Sequence, residues 1–213
     1  MNISNIESNR INVNQVIEAL NKNNFNAKYC ATEETAINEV ISLTPANSTV
    51  GMGGSFTVQQ LGLSEILADR GCQVLDHNKP GLSPEEALEL RRRQLVCDVF
   101  LTGTNAVTLD GQIVNRDGIG NRVAAMIFGP KRVIIIVGIN KIVSNVDEAI
   151  KRIETIAAPM NNKRLNKANP CIKTGQCMNC QGPSRICNVT TILSKKPMLT
   201  DTHIIIVGNE LGF

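Results

Sequence analysis

Between Val13 and Leu20 the apolar residues Val13, Val16, Ile17 and Leu20 fall at helical spacing, and Glu33 to Leu43 repeats it with Ala36, Ile37, Val40 and Ile41. That period gathers apolar side chains on one face, so two amphipathic helices are predicted. Further along, the pattern changes to short apolar runs at Thr49 to Met52, Cys72 to Leu75, Val96 to Leu101, Val133 to Val137 and Ile204 to Val207. Most lack alternation, as strands covered on both faces do. Helical spacing returns between them at Val58 to Asp69, Pro84 to Gln94, Gly120 to Phe128 and Asp147 to Ala157. Alternation of this kind predicts an α/β fold: a Rossmann-like, mainly parallel sheet with helices on both faces.

One antiparallel interruption is expected. Ala106 to Leu109 and Gln112 to Asn115 flank Asp110-Gly111, a pair that suits a type I′ hairpin turn. Pro159 to Asn169 is polar and without period, and reads as a connector. Beyond it comes a cysteine-bearing stretch, after which the chain returns to a strand. Residues 161–197 therefore read as an excursion from a single domain spanning 1–213.

Composition sharpens this picture. Aromatics make up 3% of the 213 residues and Trp is absent, so the core must be built from Ile, Val, Leu and Ala. The first ten residues are polar, with no apolar leader core. No run approaches the about 20 apolar residues that a bilayer span requires. A cytoplasmic location and no membrane partner are expected. Net charge is +3, yet 161–197 holds Lys163, Arg164, Lys167, Lys173, Arg185, Lys195 and Lys196 with no acid. Such a patch suits an acidic partner, an anionic metal centre or nucleic acid, but no nucleic-acid motif or interleaved aromatics accompany it.

Two loops carry candidate binding chemistry. Gly51, Gly53 and Gly54 with Ser55 and Thr57 leave a strand and enter a helix, at the strand edge where α/β sheets bind ligands. Glycine lets backbone approach a ligand, and N–H groups at a helix start favour an anion. The alternative is a tight turn with nothing bound. The spacing departs from the dinucleotide fingerprint, which makes NAD a minor candidate. The second loop, Asn115 to Arg122, leaves the hairpin. Within it Asp117 can cap the next helix or position a ligand, Gly118 and Gly120 supply turn freedom, and Asn121 and Arg122 occupy the helix's first turn. An arginine there opposes the helix dipole, which points to an anion contact; a plain capped hairpin exit is the alternative. Gly103, Thr104 and Asn105 follow another strand and should reach the same edge. The expected ligand is an anionic small molecule: a phosphate, a carboxylate or a CoA-like group.

These stretches also carry a family likeness. Thr102 to Ala106, Asn115 to Arg122, Ala124 to Lys131 and Val137 to Val143, with Gly51 to Ser55 and Gly208 to Phe213, resemble the LUD-domain proteins of bacteria. The resemblance implies a fold related to ribose-5-phosphate isomerase, glucosamine-6-phosphate deaminase and the CoA transferases, which bind sugar phosphates or CoA esters at the edge bearing the glycine turn. The family's best-known member, lactate-utilisation protein C, belongs to a multi-protein system that oxidises lactate to pyruvate with iron–sulfur partners. No catalytic residue carries over from it.

Cys171, Cys177, Cys180 and Cys187 form a segment added to that pattern, spaced C-x5-C-x2-C-x6-C. Four soft thiolates in one Gly- and Pro-containing loop suit a metal-binding site. Structural zinc usually takes two Cys-x-x-Cys knuckles and only Cys177 and Cys180 make one, so an iron–sulfur cluster, of the 4Fe-4S kind, is favoured and zinc is the alternative. Lys173 and Arg185 suit either anionic centre.

Other residues read as structural. Cys30, Cys72 and Cys97 adjoin apolar runs and act as small hydrophobes; His77 lacks a paired motif; Arg91-Arg92-Arg93 follows Glu85, Glu86 and Glu89 on a solvated helix face. Two functions follow. One is an accessory or subunit of a lactate- or hydroxy-acid-oxidising system, working with an iron–sulfur redox protein. The other is a self-standing enzyme acting on a phosphorylated or CoA-linked molecule, with a structural metal.

Overall fold

The computed structural model describes residues 3–213, with side chains from Val13 onward. In chain order the strands are β1 (Asn26–Cys30), β2 (Thr49–Met52), β3 (Gln73–Leu75), β4 (Val99–Gly103), β5 (Ala106–Thr108), β6 (Ile113–Asp117), β7 (Arg132–Gly138), β8 (Ile142–Val143), β9 (Val189–Leu193) and β10 (Asp201–Val207). The helices are α1 (Ile3–Lys22), α2 (Glu33–Leu43), α3 (Phe56–Gln60), α4 (Leu63–Asp69), α5 (Pro84–Gln94), α6 (Asn121–Ile127), α7 (Val146–Arg152), α8 (Ala158–Arg164) and α9 (Cys171–Thr174).

Six strands pair in the order β1-β10-β7-β4-β2-β3, all parallel. The α/β fold with a mainly parallel sheet is thus as the apolar runs predict. β7 shows why those runs do not alternate. Its Ile134 and Ile136 pack with Ala36, Val40, Leu63 and Leu67 of α2 and α4, while Val133, Ile135 and Val137 pack on the other face with Val16, Leu20, Ala125 and Met126 of α1 and α6. Both faces are covered, so every position is apolar.

Helices α2 and α5 start where capping boxes place them, at Thr32 with Thr35 and at Ser83 with Glu86, and Pro84 occupies the first turn of α5. The single helix expected over Val58 to Asp69 is two, because Gly62 adopts a left-handed φ of 60° and turns the chain between α3 and α4. The connector expected over Pro159 to Asn169 is helical as far as Arg164. A π-helical turn, Ile153–Ala157, joins α7 to α8 just before Pro159, a residue with no N–H to give the helix ladder.

A smaller sheet, β8-β5-β6-β9, flanks the first. The hairpin is present but its turn is not type I′. Asp110 keeps negative φ and only Gly111 is left-handed, at 79°, while the Gly111 N–H donates to Thr108 O at 2.9 Å. This is a type I turn closed by a glycine bulge. A Cβ at Gly111 would lie 2.7 Å from the backbone of Ala19 and Leu20, so α1 crosses where only glycine fits. β9, which no apolar run announces, leaves the cysteine segment and pairs antiparallel with β6 from Asp117↔Val189 to Ile113↔Leu193. The cysteine segment is thereby pinned beside the Asp117 loop. Among the described residues no helix is long and apolar enough to cross a membrane.

Candidate functional site

Because the large sheet is parallel, the loops after β2, β3, β4 and β7 leave the same edge. With the loop after β6, the end of α8 and residues Pro183 to Ile186, they enclose a cleft of about 520 Å³. Gly53, Gly54, Ser55, Thr57, Gly103, Thr104, Asn105, Asp117, Gly118, Asn121 and Arg122 all line it. Gly51 and Gly120 do not. Gly51 lies within β2 where a Cβ would meet Phe100, Cys97 and Gln94 at 2.9–3.1 Å, so its role is packing. Gly120 precedes α6 at a φ of 93° and faces Val189.

Several lining residues brace the walls. Asp117 accepts from the Gly118 N–H at 2.8 Å and the Val123 N–H at 3.2 Å, which caps α6. Thr104 donates towards Ala106 O, Val114 O and Asn115 Oδ1 at 3.2–3.3 Å, and Asn105 Oδ1 accepts from the Arg116 N–H at 2.8 Å. Arg122 corrects the expectation of a free anion contact. Its guanidinium donates to Asn115 Oδ1 at 2.6 Å, Arg116 O at 3.1 Å, Gly103 O at 3.3 Å and Asn105 Oδ1 at 3.4 Å, and Nε lies 3.9 Å from Asp117. With its donors turned inward, Arg122 ties α6 to β6 and to the end of β4.

The helix start contributes less than the sequence suggests. α3 is 5 residues long, and Ser55 Oγ already accepts from the Val58 N–H at 3.4 Å. The cleft's positive character comes from side chains. Among the described residues Arg91, Arg116, Arg122, Lys141, Arg164, Lys167 and Arg185 line it against one acidic side chain, Asp117. Arg116 pairs with Glu154 at 3.0 Å; among the described residues no acid pairs with Arg91, Lys141, Arg164, Lys167 or Arg185. Arg91 leaves the solvated face assigned to it: Arg92 and Arg93 are exposed, whereas Arg91 turns into the cleft, its Nη1 donating to Ala87 O at 2.9 Å and its buried Nε without an acceptor among the described residues. His77 also lines the cleft, facing Gln94, and burial followed by the Arg91 charge holds it below its ordinary pKa, so it adds no positive charge at neutral pH.

Lys141 is the deepest of these cations. It is 3% exposed, and Nζ donates to Thr57 Oγ1 at 2.7 Å. Burial, then Arg152 and Arg122, lower its pKa to about 7. Arg152 fixes the segment by donating to Asn140 O at 3.1 Å and to Asn105 O at 2.7 Å.

The cysteine segment folds against the mouth of this cleft. Cys171, Cys177, Cys180 and Cys187 line one small void of about 10 Å³, and Arg185 and Ile186 line both that void and the cleft. Buried Asn162 donates to Cys171 Sγ at 3.4 Å, the Asn179 N–H to Cys177 Sγ at 3.4 Å, and Arg185 to Cys180 O at 2.6 Å and Cys187 O at 3.1 Å. Burial raises the thiol pKa of Cys171 and of Cys187. Among the described residues no three His, Cys, Asp or Glu side chains stand close enough together to hold a metal ion as they are. Cys30, Cys72 and Cys97 are buried elsewhere, and the Cys97 thiol is pushed up to about 11, as suits packing.

The family model described as the LUD domain matches residues 13–207, which includes every strand of both sheets. The chain belongs to the LUD-domain family. This LUD domain is also similar in structure to a DUF162 family protein from Deinococcus radiodurans, known from its crystal structure. The identity is 16%, the TM-score 0.54, and the match covers 93% of this chain and 97% of that one. At that identity the likeness speaks for the fold alone. Among curated proteins no match was found.

The cations of the cleft were only partly visible in the sequence of this LUD domain. Lys141 follows the longest apolar run, so the edge rule that singles out Gly53 and Gly103 applies to it equally. Arg91 could have been separated from Arg92 and Arg93 by helical phase, since it stands four residues after Ala87 and three before buried Gln94. Arg164 had no such signal, because the π-helical turn sets the phase of α8.

Proposed function

We propose that this LUD domain binds a small anion, phosphate-, carboxylate- or CoA-like, in the cleft, as an accessory or subunit of a lactate- or hydroxy-acid-oxidising system. The supporting observation is the charge of the cleft: five cations that have no acidic partner among the described residues stand around one concave edge, one of them with a buried, unmatched N–H. Buried donors of that kind are costly unless a ligand accepts from them. Arg91, Arg164 at the glycine turn and the Gly54 N–H would hold the charged group, the Gly53 N–H being already given to Leu101 O at 2.9 Å; Arg164 Nη2 reaches Gly54 O at 3.3 Å.

The cysteine void supports the redox setting. Its donor set fits a four-thiolate centre: four thiols face one space, two of them already accept N–H groups, and Arg185 would offset the negative charge. An iron–sulfur cluster held there would supply one-electron transfer beside the cleft. Arg185 would bind from one side and orient the cysteine loop from the other. A second reading, zinc as a structural staple in a self-standing enzyme, has its own support. The void is of single-ion size, so zinc would enter with less rearrangement than a cubane.

Anaerobic purification followed by iron, zinc and acid-labile sulfide analysis separates the two. Iron with sulfide supports the redox setting, and stoichiometric zinc without sulfide rejects it. The anion site is tested by thermal shift with phosphate, pyruvate and CoA. No shift with any of them would contradict it.

A further inference from the structure

Lys141 is more than another cation of the cleft. A buried ammonium is tolerated where a carboxylate or several strong acceptors surround it. Among the described residues Nζ has one hydrogen-bond partner, the Thr57 hydroxyl, and the charged side chains acting on it are Arg152 from α7 and Arg122 from α6, both positive. The chain has built a place for a neutral amine that opens on a ligand cleft. A lysine in that state keeps its lone pair and is a nucleophile towards carbonyl carbon.

The position of Lys141 relative to the glycine turn specifies what it could attack. A Cβ built on Gly103 would lie 2.6 Å from Ser55 Oγ and 3.4 Å from Thr57 Oγ1, and Thr57 Oγ1 is itself 2.7 Å from Lys141 Nζ. Ser55, Gly103, Thr57 and Lys141 therefore form one continuous floor. An anionic group held beside Gly54 and Ser55 would have its neighbouring atoms, and not some distant part of a long molecule, next to the amine.

We propose that Lys141 forms an imine with a small anion that carries a carbonyl within one or two atoms of its charged group. The inference rests on the anion-binding reading of the cleft. In the step, the Nζ lone pair attacks the carbonyl carbon and the C–N bond forms as the π pair moves to oxygen. The nitrogen gives up a proton and the oxygen gains one, with the Thr57 hydroxyl placed to relay it. The second N–H proton then passes to that hydroxyl, which leaves as water as the nitrogen lone pair closes the C=N bond. One water is released and no electrons are exchanged, so no oxidant is required. Two kinds of molecule share this chemistry, 2-oxo acids and α-oxo phosphate esters.

The test is reductive trapping on the full-length protein. It is incubated with sodium cyanoborohydride and either pyruvate or dihydroxyacetone phosphate, and its peptides are mapped by mass spectrometry. At pH near 7 about half of a lysine with Lys141's pKa is neutral, against less than about one in a thousand for an ordinary lysine. Lys141 should therefore be labelled on the order of a hundredfold faster than exposed Lys131, whose pairing with Asp98 raises its pKa. The labelling rate should climb with pH through a midpoint near 7. Labelling in the pyruvate arm identifies a 2-oxo acid site, and labelling in the phosphate arm an α-oxo phosphate site. If a probe raises the melting temperature while Lys141 is labelled no faster than Lys131 in either arm, the imine is wrong and the anion site stands. If neither probe binds nor labels, both fall. In Lys141→Met the fast-labelled peptide should vanish while the slow labelling of the other lysines is unchanged; equal fast labelling of that variant would also overturn the proposal.

Discussion

Lys141 Nζ sits 2.7 Å from Thr57 Oγ1, joining the loop after β7 to the first turn of α3 across 84 residues of sequence. The contact places a buried amine against a hydroxyl with no acid in support among the described residues, and the arrangement has a cost in the ligand-free protein. A lysine whose pKa falls from its ordinary 10.5 to about 7 on folding destabilises the fold wherever the unfolded chain would hold the proton. The penalty is full below pH 7 and relieved as pH rises from 7 to 10.5, since only the unfolded chain is protonated in that window. At roughly 1.4 kcal/mol per pKa unit it is on the order of 5 kcal/mol. Lys141→Met should accordingly be more stable than wild type at pH 6, by a few kcal/mol after loss of the Thr57 contact. The gap should close towards pH 10. Urea denaturation at both pH values checks it; a gap that widens with pH would show that the lysine is charged in the native state.

Arg122 behaves oppositely. Its guanidinium serves Asn115 and Arg116 on β6 and Gly103 and Asn105 at the end of β4, so Arg122→Ala removes the bonds that tie these two stretches to α6 and takes the nearby cation from part-buried Asp117. A loss of about 3–5 kcal/mol is expected by analogy with broken buried ion pairs. Arg164→Ala, at the rim, should cost under about 1 kcal/mol. Chemical denaturation of the two variants side by side distinguishes a brace from a ligand contact, and equal small losses would contradict the bracing role.

Gly54 adopts a φ of 69°, which Asp tolerates better than most residues, and its Cβ would lie 3.3 Å from His77 Nε2 and Asn78 Nδ2. Gly54→Asp should fold with a loss of about 1–2 kcal/mol while placing a carboxylate at the glycine turn. Phosphate should then no longer raise its melting temperature. A shift equal to wild type would mean that the anion does not sit at this turn.

The legible and illegible parts of this chain divide along physical lines. Val133 to Val137 declared itself because a strand buried on both faces must be apolar throughout. β1 carries no apolar signal because it is an edge strand with the polar sequence Asn-Ala-Lys-Tyr-Cys, largely exposed. β9 carries none either: its positions alternate between half-buried and exposed, and it is held by pairing with β6 more than by burial. The cleft loops could be read from the strand edge. The partners of each side chain could not: the sequence points to Arg122 as the anion contact and to Arg91 as a solvated residue, and only the acceptors around them make Arg122 a brace and leave Arg91 Nε unmatched.

Cys180→Ser should remove bound metal yet leave the sheets folded, since neither core cluster on the two faces of the parallel sheet includes a residue of the cysteine loop. Metal analysis with far-ultraviolet circular dichroism checks both halves. Loss of the helical and strand signal in that variant would show that the loop is integral to the core.

The cationic cleft as an anion site is the central claim, and thermal unfolding with phosphate or pyruvate tests it most directly. For wild type, a ligand at about a hundredfold over its dissociation constant should add about 2.7 kcal/mol of stability. Arg91→Ala combined with Arg164→Ala should lose most of that gain while unfolding as a single transition without ligand. A double variant stabilised as much as wild type would contradict the account.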